Sequence, residues 1–139
     1  MIAAEEMVAR ANAYAEEAFE QPMVWGDSDC TAWARAWVES VTGRRIRLPK
    51  WSSRDEAVDR IEKAGSLEAL WSGALDAYGL PEQLREPQPG DVGIIDTHLA
   101  GQIGGIFLNH GIFAWRAEPA GVRLIRPRPR TIVKVWAIQ

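Results

Sequence analysis

Trp25-Gly26-Asp27-Ser28-Asp29-Cys30-Thr31-Ala32-Trp33 contains the single cysteine of this 139-residue chain, at the join between a turn and a helix. Gly26, Asp27, Ser28 and Asp29 are turn and N-cap residue types. Beyond them Trp33, Ala34, Trp37, Val38 and Val41 recur at the spacing of a buried helical face, and Gly43 supplies a stop. Cys30 is therefore expected in the first turn of a helix. Unpaired N–H groups and the positive end of the macrodipole favour a thiolate there. That place makes Cys30 a candidate nucleophile with a lowered pKa. Asp29 is expected to cap the helix and to help shape the site wall. The alternative is a plain buried thiol, since lone cysteines commonly behave as small hydrophobes.

Around this stretch the composition is that of a globular domain. Hydrophobic residues make up 47% and charged residues 25%. We expect one domain, residues 1–139, with a helical half at about 1–79, a connector at about 80–90 and a strand half at about 91–139. A net charge of -3 and a pI near 5.4 argue against nucleic acid held by bulk charge. One cysteine excludes an internal disulfide, and no Cys/His cluster has zinc-site spacing, so neither metal nor cofactor is expected. The acidic, amphipathic N-terminus does not read as a signal peptide, and no run is long enough to span a membrane. Seven tryptophans are many for this length, and most are expected in the core or at an interface.

Working outward, residues 2 to 19 read as an amphipathic helix with Met7, Val8, Ala11, Tyr14, Ala15 and Phe19 on one face. Arg44-Arg45-Ile46-Arg47 reads as a solvated loop or edge. Ser53-Arg54-Asp55-Glu56 has the form of a capping box before a short helix closed by Gly65. Ser66 caps another, with Leu67, Leu70, Trp71, Ala74, Leu75 and Tyr78 on its apolar face. From Leu80 to Gly90 three prolines and no helical period mark the connector. The period then changes. Val92–Ile95, Ile103–Leu108, Gly111–Arg116, Val122–Ile125 and Thr131–Ile138 read as strands, with Asn109-His110-Gly111 as a hairpin turn. The prolines keep Arg126-Pro127-Arg128-Pro129-Arg130 out of any central strand. Helices followed by an antiparallel meander of about five strands give an α+β class.

Trp25-Gly26-x-x-Asp29-Cys30 at a helix start, Pro89-Gly90-Asp91-Val92 at a strand start, Gly105-Ile106-Phe107 at the next strand and Trp136 in the last resemble the NlpC/P60 superfamily. The resemblance is greatest to its branch in phage and gene-transfer-agent tails, and it covers about residue 22 to the C-terminus. It implies a papain-like fold with the cysteine helix packed on a small antiparallel sheet. Active members are cysteine peptidases or amidases that cut the peptides of bacterial peptidoglycan. Their cysteine pairs with a histidine at the start of the second strand, and a polar residue on the next strand orients it. A thiol needs such a base to take its proton and return it to the leaving amine. The base needs a partner that fixes its tautomer. N–H groups at the start of the cysteine helix are suitably aimed at an acyl oxyanion.

This chain departs from the family pattern at the base. The positions before Gly105 are Gln102, Ile103 and Gly104, and the third-residue position falls near Ala114 or Trp115. None can serve. The two histidines are out of frame: His98 follows the first strand, and His110 lies in the predicted hairpin turn. His98 is the base candidate, because a loop can carry a catalytic group. His110, two strand lengths from the helix start, is badly placed. Asp91 reads as a turn-fixing carboxylate, and Trp25, Trp33 and Trp37 read as a core set.

Three functions compete. The first is a tail-tip cysteine peptidase using Cys30 and His98 on peptidoglycan. The second is a structural tail-tip protein with the same fold and no turnover, partnered by other phage tail-tip proteins. The third is a stand-alone bacterial papain-like amidase. The first two place the chain in a virion tail assembled in the host cytoplasm. Loss of an in-register base would cost about a hundred- to ten-thousand-fold in rate.

Overall fold

The computed structural model describes residues 1–139. Four helices come first: α1 (Ala4–Glu17), α2 (Cys30–Thr42), α3 (Arg54–Ala64) and α4 (Leu67–Tyr78). Five strands follow: β1 (Val92–Thr97), β2 (Gly101–Phe107), β3 (Phe113–Arg116), β4 (Val122–Ile125) and β5 (Ile132–Trp136). The caps explain the helix limits. Ser53 and Ser66 side chains accept hydrogen bonds from the N–H groups of Glu56 and Ala69. The return bond of the expected capping box goes one residue astray, from Ser52 to the Glu56 carboxylate. Gly43 and Gly79 close α2 and α4 in the left-handed region, at φ 72° and 94°.

The sheet is antiparallel throughout, in the order β4-β3-β2-β1-β5. Its first four strands are the expected meander, but β5 does not continue it. That strand returns to the opposite edge and pairs with β1. The crossing is made by the arginine-proline stretch, which ends in a 3-10 turn at Pro129–Thr131. Without proline N–H groups this stretch cannot add rungs beside β4. The return makes β1 a central strand, and Val92–Ile95 are buried on both faces.

Side chains alternate across the sheet. Val92, Ile94, Ile106, Ala114 and Trp136 face the helices and meet Trp33, Trp37 and Trp71. Ile95, Phe107, Phe113 and Val135 form a smaller cluster on the opposite face. The connector carries no helix. Its Gln83 N–H donates to Val135 C=O, and Ala137 N–H donates to Pro81 C=O, so it covers the outer edge of β5.

Pro89-Gly90-Asp91 joins the cysteine helix to the sheet. Trp37 Nε1 donates to the Gly90 carbonyl at 2.7 Å. The Asp91 carboxylate, buried, accepts from Gln88 N–H at 2.8 Å and from Ile138 N–H at 3.1 Å. It fixes the turn, as expected, and also ties down the end of the chain. Burial raises its carboxyl pKa above the ordinary value. No helix is long and apolar enough to cross a membrane.

Candidate functional site

Gly26 sits at φ 92°, and a Cβ there would meet the Trp51 carbonyl at 2.9 Å, so this turn requires glycine. Asp29 is the N-cap of α2 and is buried. Its carboxylate accepts from Gly26 N–H at 2.7 Å and from Ala32 N–H at 3.1 Å. The expected capping role is what these bonds describe. Cys30 is the first residue of α2.

The thiol does not face an imidazole. Cys30 Sγ donates to the Arg116 carbonyl at 3.3 Å. Burial pushes the thiol pKa up to about 12, and the Asp29 charge pushes the same way. The positive charge of the Arg116 guanidinium pulls against this without prevailing. The lowered pKa expected of a helix start is thus overturned here. The dipole acts in the expected direction, but desolvation and the capping carboxylate outweigh it.

Cys30 and Asp29 line a groove of about 350 Å³ that also takes in Trp25, Trp51, Gln102 and Trp115. Neither histidine lines it. His98 is exposed in the turn between β1 and β2. His110 is exposed in a 3-10 turn, Asn109–Gly111, at φ 61°. The tryptophan set splits. Trp33 and Trp37 are core, and Trp33 stacks on Tyr14 at 5.1 Å. Trp25 is half-buried on the groove wall.

Of the three positions before Gly105 where a base would be expected, Gly104 is backed by a residue of another element. Gly104 on β2 faces the helices, and a Cβ there would lie 2.3 Å from Trp71 Cζ2. Trp71 of α4 is fully buried and donates through Nε1 to Thr31 Oγ1 at 3.0 Å, beside Cys30. Gln102, two residues earlier, accepts from Glu68 N–H at the start of α4. The alternation of β2 thus aims residues 102 and 104 at the helices, where α4 engages both.

Arg116 is the residue that the sequence reading missed. It is 2% exposed, and its guanidinium donates to the carbonyls of Ala18, Gln21, Pro22, Ser28 and Gly121. Five donors meet five backbone acceptors. The α1 exit, the cysteine turn and the β3–β4 hairpin are joined at this one side chain, whose own carbonyl receives the thiol. One sequence signal was available: in Phe113-Ala114-Trp115-Arg116, alternation puts Arg116 on the helix-facing side with Ala114.

The family model described as Domain of unknown function (DUF6950) matches residues 4–138. No curated protein matches the sequence. Among solved structures, the NlpC/p60 domain of the peptidoglycan hydrolase SagA superposes with a TM-score of 0.57 at 17% identity, covering 98% of this chain and 99% of that one. The fold is therefore the α+β, papain-like NlpC/P60 fold, with helices packed on a five-stranded antiparallel sheet.

Proposed function

The chain belongs to the DUF6950 family, and from its site we propose a tail-tip component of a phage or phage-like particle that keeps the NlpC/P60 fold without hydrolysing wall peptides. The observation that carries the absence of turnover is the pairing of the thiol with a carbonyl acceptor, Arg116 C=O, in place of a base. A peptide carbonyl cannot take and return a proton as imidazole does. A thiol with its pKa pushed up to about 12 is almost wholly protonated at neutral pH. Support for the tail-tip setting comes from the Trp25-Gly26-x-x-Asp29-Cys30 signature at the start of α2. In this reading other tail-tip proteins are the partners, and the virion tail is the location.

Digestion of purified peptidoglycan by the full chain, with an active NlpC/P60 hydrolase as control, tests the chemistry. We expect no released stem peptides and no difference between the wild type and Cys30→Ala. Fragments that appear with the wild type and vanish with Cys30→Ala would restore the peptidase reading, and the same loss in His98→Ala would name its base. Mass spectrometry of particles purified from the source strain tests the setting. The chain should copurify with tails, and its absence from them would overturn that assignment.

A further inference from the structure

The two edges of the sheet are treated differently. The outer edge of β5 is covered by residues 81–83 of the connector. β4 is the other terminal strand: residues 21–23 pair with residues 119–121 just before it, but Val122–Ile125 themselves pair on one side only, with β3. Ala117 N–H donates to Gly121 C=O at the hairpin end. Antiparallel alternation from that rung turns the N–H and C=O groups of Val122 and Leu124 outward. Arg123, Leu124 and Ile125 are all exposed.

Charge is distributed just as unevenly. The chain carries -3 overall, yet residues 119–139 hold five basic side chains and no acidic one. Four of them, Arg123, Arg126, Arg128 and Arg130, are exposed along β4 and the stretch that leaves it. On the helix-facing side, Leu124 and Phe19, 50% and 44% exposed, border a cleft of about 350 Å³ that Glu16 also lines. Arg123 lies on the opposite face, across from Trp115.

We propose that β4 is a docking edge for an extended acidic segment of another protein, which adds to the sheet as a sixth strand. Outward N–H and C=O groups supply the pairing. Side chains of the incoming strand that enter the cleft are apolar, because they meet Phe19 and Leu124 and are kept from negative charge by Glu16. The alternate side chains are acidic and meet Arg123. An acidic continuation runs over Arg126 to Arg130. A second copy of this chain does not suit the edge, since pairing β4 with itself would bring the same arginines together. This inference is independent of whether Cys30 turns over.

The test is an amide-resolved NMR titration of the full chain with a capped octapeptide of alternating Glu and Leu. Its Lys/Leu counterpart, a DNA oligonucleotide and polyphosphate serve as comparisons. The acidic peptide should shift the amides of Val122–Ile125 and protect those of Val122 and Leu124 from exchange. An R123E/R126E variant, altered only at exposed positions, should bind about tenfold more weakly. Equal binding of the Lys/Leu peptide, or no response at Val122–Ile125, would overturn the proposal. So would DNA or polyphosphate producing the same protection, which would mean a plain anion stripe. Concentration-dependent dimerisation through β4 would replace the acidic partner with a second copy.

Discussion

Trp71 occupies the space that a side chain at Gly104 would need: a Cβ there would fall 2.3 Å from Cζ2 and 2.5 Å from Cη2 of the indole. The ring is rigid, fully buried and hydrogen-bonded to Thr31, so it cannot swing aside at low cost. Gly104→Ala should therefore destabilise the protein by about 3 kcal/mol, the upper range for overpacking. In a double-mutant cycle with Trp71→Leu the two losses should be less than additive by about 1 kcal/mol or more. Additive losses in urea denaturation would show that the two side chains do not compete for space. Gly104→His alone should give no hydrolase activity, because the imidazole has no room beside the thiol.

The thiol gives a pH dependence with a definite sign. Its folded pKa is raised from the ordinary 9.0 to about 12, so the folded state holds a proton that the unfolded chain releases. The associated stability is fully present below about pH 9 and is lost as pH rises toward 12. Tyr14, also raised by burial, acts in the same sense above its ordinary 10.0. Urea midpoints should fall between about pH 8 and 10.5, and Cys30→Ala should flatten the earlier part of that fall. An unchanged slope in Cys30→Ala would mean that the thiol ionises as freely folded as unfolded.

Arg116 should tolerate neither shortening nor loss of donors. Arg116→Met leaves five carbonyls without their guanidinium and should cost about 3 kcal/mol or more. Arg116→Lys keeps the charge but supplies three donors on one nitrogen, and should recover only part of the loss. Full recovery by lysine would show that charge, not the fork of donors, is what the turn requires.

Asp91 is expected to be structural. Asp91→Ala strands the N–H groups of Gln88 and Ile138 and should cost about 3 kcal/mol, with Asp91→Asn intermediate. Hydrogen exchange should rise first at Ile138 and the last residues of the chain. A neutral Asp91→Ala would remove this carboxylate from the account of how the C-terminus is held.

Much of the frame was legible from local rules. Ser53, Ser66, Gly43 and Gly79 mark helix ends through bonds and dihedrals that act within a few residues. Strand limits moved by one or two residues, as at Gly101 for Ile103 and Phe113 for Gly111, because ladder bonds set them rather than side-chain pattern. The return of β5 beside β1 lay beyond such rules. Pro127 and Pro129 say where a ladder stops, but not which edge the chain reaches next.

The sequence by itself determined that Cys30 opens a helix, that Asp29 caps it, and that helices precede an antiparallel sheet. Those outcomes depend on backbone valence and side-chain period, which neighbouring residues decide. Only the tertiary structure decided the state of the thiol. Arg116 and Trp71 are 86 and 41 residues away along the chain from Cys30. Their arrival brings a carbonyl acceptor to the sulfur and an indole against Gly104, one of the three positions where a base would be expected. Burial and the charge of Asp29 then raise the pKa that the helix start alone would lower, because desolvation depends on everything packed around a group and not on the residues beside it in sequence.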